Sequence, residues 1–195
     1  VIVFSDEIHA DLIYPGNHHH TLAAFPEYNA KIITAVAPSK TFNIPGLNLS
    51  ALIIPDQSTR NAVTQVFNTL HISASNPFSI AAFEAAYREG EAWLEALLIY
   101  LRDTRDCVEA FLAKHVPEIK VIKAEGTYLL WLDCREWNRT DAQLKHFFIH
   151  EAGIGMSPGT LFGEEGSGFM RLNIGAPRQT VLSVMQNIKQ ALQNK

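Results

Sequence analysis

The chain has 195 residues, 47% of them hydrophobic, so it can bury a real core as one large domain or two small ones. Its net charge of −4 offers no basic stripe, which excludes the usual footprint of nucleic-acid or anionic-membrane binding. No apolar run reaches the ~18 residues of a membrane span, and two cysteines, Cys107 and Cys134, without CxxC or metal-type spacing read as reduced thiols of a cytoplasmic protein.

The chain opens on Val1-Ile2-Val3-Phe4, with no initiator Met, signal-peptide pattern or polar lead-in. A domain rarely begins on a central strand, so the expectation is a fragment whose upstream residues are missing. Strands are expected at 1–4, 32–36 and 49–54. Their runs of Val, Ile, Leu and Ala lack polar alternation and read as covered on both faces. Asp56 caps a predicted helix whose apolar positions Val63, Val66, Phe67 and Leu70 recur at helical spacing. A further helix follows Pro77, with Ile80, Phe83 and Tyr87 on its inner face. These elements predict an α/β layer with a mainly parallel sheet.

From Glu91 to about His115 the stripe Trp93, Leu94, Leu97, Leu98, Leu101, Val108, Phe111 and Leu112 predicts one helix. At ~1.5 Å per residue it runs for roughly 35 Å, enough to bridge two domains. Pro117 ends it. The remainder reads as a smaller α+β unit. It has a strand at 128–132, a helix at 141–152 closed by Gly153, a strand at 169–173, and a terminal helix marked by Val181, Val184, Met185, Ile188 and Leu192. The expected organisation is 1–90 as part of a large domain, 91–116 as an interdomain helix and 117–195 as a small C-terminal domain.

Two polar runs stand out. Ser39-Lys40-Thr41 follows an apolar strand, and Ser5-Asp6-Glu7-Ile8-His9 follows another. A lysine in a loop is ordinarily a solvated charge. Here Phe42, Ile44, Pro45 and Leu47 follow Lys40, and apolar crowding favours the neutral amine that forms Schiff bases and carries protons. Ser39 is placed to bond a phosphate oxygen. Asp6, at the carboxyl end of a parallel strand, lies where open α/β sheets bind ligands, unless it merely caps a turn. Beside an aldehyde cofactor it would pair with a ring nitrogen, and His9 would bond a ring hydroxyl. Glu7 points the other way along the pleat and reads as structural.

In Phe169-Met170-Arg171-Leu172-Asn173-Ile174 the alternation sets Arg171 and Asn173 on the face opposite Met170, Leu172 and Ile174. Arg171 can grip an α-carboxylate with its planar fork, or be an ordinary edge-strand arginine. His18-His19-His20 reads as a solvated loop, since consecutive imidazoles diverge. The glycines between Gly153 and Gly168 do not form a dinucleotide fingerprint and read as a mobile loop near the cleft.

The runs 5–16, from Ser5-Asp6-Glu7-Ile8-His9 to Tyr14-Pro15-Gly16, and 38–43, Pro38-Ser39-Lys40-Thr41-Phe42-Asn43, resemble the fold-type I pyridoxal-phosphate enzymes of aminotransferase class I/II. Within that group they are most similar to the cystathionine β-lyase and cystalysin branch. The resemblance covers all 195 residues, as the C-terminal half of a family subunit. It implies the C-terminal part of the PLP-dependent transferase fold, a small amino-acid substrate and a homodimer. It also implies Lys40 as the lysine that bonds the cofactor aldehyde, Asp6 at the pyridine nitrogen, His9 near the ring hydroxyl and Arg171 as the carboxylate clamp. Ser75-Asn76-Pro77 resembles a segment that reaches toward the neighbouring subunit's site.

Asn48 stands where many transaminases of the class carry a phosphate-binding arginine, which shifts that task toward Ser39 and upstream residues. The phosphate-cradling helix start, the stacking aromatic and the Asn beside the ring hydroxyl are expected upstream. The reaction implied is β-elimination from a cystathionine- or cysteine-type amino acid to thiol, pyruvate and ammonia. An aminotransferase using the same residues is the alternative. Family members that engage transcription regulators leave a regulatory role as the third.

Overall fold

β1 (Val3–Asp6) and β2 (Ile32–Val36) run parallel, with Val3 opposite Ile32 and Asp6 opposite Ala35, in a computed structural model that describes residues 1–193. β3 (Ala51–Ile53) pairs with β2 in the opposite direction, Val36 facing Ala51. The sheet is mixed, in the order β1-β2-β3. The loop after β2 turns the chain straight back, so β3 returns antiparallel; an apolar run reports a strand but not its direction.

The chain divides into two compact units, Val1–Leu97 and Leu98–Lys195. In the first, Asp56 caps α1 (Gln57–Thr69) by accepting the Thr59 N–H at 2.7 Å. Asn76 likewise caps α2 (Pro77–Glu89) through the Phe78 N–H at 3.0 Å, with Pro77 at the first helical position. The expected burial differs in two places. Phe4 is 58% exposed, because β1 is an edge strand that no described element covers on both faces. The stripe of α1 is also open: Val66, Phe67 and Leu70 are all exposed. An apolar pattern shows what a face would bury, not that something lies over it. On α2 the inward position is Ser79, whose hydroxyl bonds the Leu47 carbonyl, rather than the exposed Ile80.

α3 (Glu91–His115) runs through the boundary between the units. The second unit is an antiparallel sheet in the order β4-β5-β7-β6, from β4 (Lys120–Val121), β5 (Leu129–Asp133), β6 (Ser157–Pro158) and β7 (Phe169–Asn173). Leu130 and Leu132 of β5 and Met170 and Leu172 of β7 are buried on one face. Val108 and Leu112 of α3 join them, with Val181, Met185 and Ile188 of α5 (Arg178–Gln193), in one core. Each such side chain contributes about 1.5–3 kcal/mol of transfer free energy.

α4 (Asp141–His146) starts on a capping box, Thr140 with Gln143, and then widens into a π-helical turn over Phe147–Glu151. The expected single helix 141–152 is thus two geometries. The Ala152 N–H reaches back to the Phe147 carbonyl at 2.9 Å, and the wider turn seats both Phe147 and Phe148 in the core. Gly153 follows with φ +68°, as a helix stop requires. Cys107 and Cys134 are free thiols, and burial pushes Cys134 up to about 12, which leaves it unreactive. Among the described residues no helix is long and apolar enough to cross a membrane.

Candidate active site

β1 and β2 are parallel neighbours, so their carboxyl ends open at one edge of the sheet, and both polar runs singled out above begin there. Asp6 is the last residue of β1 and is exposed. Among the described residues its carboxylate accepts one bond, on Oδ1 from the Ile8 N–H at 3.3 Å, so most of its acceptor capacity is open.

Glu7, one step along the pleat, is the opposite case. Its side chain is 7% exposed and accepts from Thr21 Oγ1 at 2.8 Å, His19 Nε2 at 2.9 Å and Ser5 Oγ at 3.0 Å. Burial pushes this carboxyl up, but the bonds from His19, Thr21 and Ser5 together outweigh it and hold it below its ordinary value of 4.5. Glu7 therefore staples the 18–21 loop onto the sheet end, and His19 is anchored rather than freely solvated. A depressed folded-state pKa contributes stability that is present above the unfolded value and lost as pH falls through the folded one. The unfolding temperature should accordingly drop on acidification below about pH 4.5, and Glu7→Gln should flatten that acid limb in a scan of melting temperature against pH.

The Lys40 loop is held from both sides. The Phe42 N–H reaches the Pro38 carbonyl at 2.8 Å, and the Ile44 N–H reaches the Ser39 carbonyl at 3.1 Å. Thr41 is fully buried and donates to Asp11 Oδ2 at 3.0 Å, tying this loop to the segment after β1. Phe42 packs against Trp93 at 5.6 Å and edge-on to Tyr87 at 6.0 Å. Gly90 leaves room for that ring, since a Cβ there would collide with Phe42 and with the Ala86 carbonyl. Gly90→Ala should cost about 1–3 kcal/mol by overpacking, read from denaturant unfolding, and should loosen the Lys40 loop.

One expectation is corrected here. Thr41 and Phe42 turn their bulk away from Lys40 and leave its side chain exposed, so the loop anchors the backbone beneath the amine and does not crowd the amine itself. Ser39 and His9 are both half-buried on the same two loops. The first unit thus brings Asp6, His9, Ser39 and Lys40 to the carboxyl ends of two adjacent strands.

Arg171 belongs to the second unit. On β7 it faces Trp131 of β5 on one side and Ser157 of β6 on the other. Its Nη2 lies 3.4 Å from Ser157 Oγ, and its Cζ sits 4.5 Å from the centre of the Phe162 ring. Among the described residues no carboxylate is within ion-pair distance of it. Ser157, Phe162 and the Thr41–Asp11 tie escape sequence reasoning, because each depends on a contact between segments far apart in the chain. The π-stacked and hydroxyl partners of an arginine leave no periodic signal.

The model of the aminotransferase class I and II family matches residues 1–188. The chain belongs to this family. Cystathionine beta-lyase PatB of Bacillus subtilis is 39% identical over 193 residues, which are 98% of this chain and 50% of that protein. Protein MalY of Escherichia coli is 35% identical over 179 residues, 91% of this chain and 45% of its own length. The crystal structure of cystalysin from Treponema denticola, which contains pyridoxal 5'-phosphate, superposes with a TM-score of 0.95 at 34% identity, covering 100% of this chain and 50% of that one. The chain spans about half the length of the curated relatives it matches, and over that half its α/β fold is that of the pyridoxal-phosphate-dependent members of the class.

The donor set at the sheet end suits pyridoxal phosphate. An exposed amine, an open carboxylate, an imidazole and a hydroxyl are what its aldehyde, ring nitrogen, ring hydroxyl and phosphate respectively require.

Proposed function

We propose that this protein is a pyridoxal-phosphate-dependent carbon–sulfur β-lyase that splits a cystathionine- or cysteine-type amino acid, with water, into thiol, pyruvate and ammonia. The observation that carries the reading is that the open Asp6 carboxylate ends β1 while the loop bearing the exposed Lys40 follows its parallel neighbour β2, in a chain 39% identical to a cystathionine beta-lyase.

Lys40 would hold the cofactor aldehyde, Asp6 its ring nitrogen, His9 its ring hydroxyl and Ser39 its phosphate. When bound, the cofactor supplies an electron sink for negative charge at the substrate α-carbon. Lys40 would take the α-proton, carried on a backbone held by the Thr41–Asp11 bond and by Phe42 packed on Trp93. Asp6 would keep the ring nitrogen protonated, a task its open oxygens suit. Arg171 would bind the α-carboxylate of the substrate.

In this reading residues 1–90 are part of the cofactor-binding domain, 91–116 the interdomain helix and 117–195 the small domain, and the protein acts as a homodimer in the cytoplasm. Amino transfer shares every residue up to proton removal. Elimination is favoured because a relative 39% identical over 193 residues is a cystathionine beta-lyase and one of the solved structures with a TM-score of 0.95 is cystalysin; another with that score is named a putative aminotransferase, which keeps amino transfer as the second reading. The deciding measurement is pyruvate release from cystathionine by the full-length protein. Efficient amino transfer without pyruvate would overturn the lyase reading and leave the aminotransferase.

A further inference from the structure

Resting on the carboxylate role proposed for Arg171, we infer that Phe162 is the positioning residue that holds the Arg171 guanidinium ready to receive that carboxylate. An arginine side chain has many rotamers, and a clamp that must freeze them on each binding event loses affinity. Here two groups meet the guanidinium before any ligand arrives. The Phe162 ring lies 4.5 Å from Cζ, in the range where the ring face attracts a cation. Ser157 Oγ lies 3.4 Å from Nη2, and Trp131 flanks Arg171 across the β5–β7 ladder.

The platform is itself held. Trp131 meets the Phe162 ring edge-on at 5.6 Å and 75°, and stacks on Phe169 at 5.6 Å and 17°. The segment that presents Phe162 is clasped at its base. A Cβ on Gly159 would collide with the Gly166 carbonyl, and one on Gly166 with the Gly159 carbonyl, so the two backbones are in direct contact. Just beyond the clasp, Asp141 takes the Ser167 hydroxyl on one oxygen and the Gly168 N–H on the other, each at 2.8 Å. The glycine-rich stretch expected as a mobile loop is instead a buttressed bracket. Phe162 nonetheless remains 54% exposed, so its contact with Arg171 and Trp131 is not a by-product of core burial. With one face of the guanidinium covered and one nitrogen near Ser157, the remaining donors form an open fork for two carboxylate oxygens.

The test uses the full-length holoenzyme and 2-aminoisobutyrate, an amino acid with no α-proton to lose, alongside its carboxamide, each titrated calorimetrically. Phe162→Leu keeps the apolar bulk and removes the aromatic face; Phe162→Tyr keeps both. Phe162→Leu should weaken the carboxylate about tenfold while changing the amide less than about twofold, and Phe162→Tyr should restore wild-type affinity. Equal weakening of acid and amide, or no weakening of the acid, overturns the positioning role. Arg171→Ala separates the two levels. If it abolishes the preference for acid over amide while Phe162→Leu does not, only the positioning role fails; if the preference survives Arg171→Ala, the carboxylate role on which it rests fails too.

Discussion

If the proposed lyase reading holds, Lys40→Ala in the full-length protein should lower the rate of pyruvate release from cystathionine by on the order of 10³–10⁴-fold, while the melting temperature should change little. The two halves of this expectation come from different observations. The Lys40 side chain is exposed and among the described residues makes no ion pair, so its removal leaves no buried group unsatisfied. What holds the loop is its neighbours: Thr41 on Asp11, and Phe42 on Tyr87 and Trp93. A surface lysine of no chemical consequence would change neither quantity. A general base and covalent anchor lost together change the rate by the stated factor and leave the fold alone. The discriminating measurement is therefore the pair: initial rates by pyruvate detection, and thermal unfolding of the same preparation. A less than about threefold loss of rate sinks the role assigned to Lys40.

The same contrast explains what the sequence made legible. Apolar runs and caps are local, and they located β2, α1, α2 and β7 from Ile32, Asp56, Pro77 and the Phe169–Asn173 alternation. Direction and covering are not local. Nothing in residues 49–54 says that β3 pairs antiparallel to β2, and nothing in Val63, Val66, Phe67 and Leu70 says that their stripe is left open. The π-turn at Phe147–Glu151 is hidden for a related reason. It costs helical hydrogen-bond geometry and is repaid by seating two adjacent phenylalanines, a trade decided by the core and not by helical periodicity.

Lys40, Asp6 and Arg171 stand out in the sequence because charged residues at the ends or on the faces of apolar strands are unusual. Their supports do not stand out. Phe42 follows Lys40 in the chain but packs on Tyr87 and Trp93 over Gly90, so a sequence neighbour of the lysine is not a spatial neighbour of its amine. Nor does the sequence foretell that adjacent acids divide their labour. Glu7 is saturated with three donors while Asp6 keeps its oxygens open, and only the second arrangement suits a group that must hold a proton on a ligand.

Arg171→Ala should raise KM for cystathionine by about 10²–10³-fold, equivalent to roughly 3–4 kcal/mol, with kcat reduced much less. The size follows from the chemistry of the pair. Two parallel N–H···O bonds between charged groups are worth about twice a neutral pair, and truncating one partner leaves a carboxylate with no counter-charge. The KM-weighted form follows from where the interaction acts. A carboxylate remains a carboxylate from substrate through to pyruvate, so the clamp contributes to the ground state and the transition state alike, and its loss is felt chiefly in binding. Arg171→Lys should recover only part of the loss, because a single ammonium cannot reproduce the fork, and because Phe162 and Ser157 are spaced for a planar guanidinium. Steady-state kinetics of the two variants against cystathionine check both statements. A fall confined to kcat would mean that Arg171 acts on the reacting atoms and not on the carboxylate. An unchanged KM would return it to an ordinary strand arginine, stacked on Phe162 for packing alone.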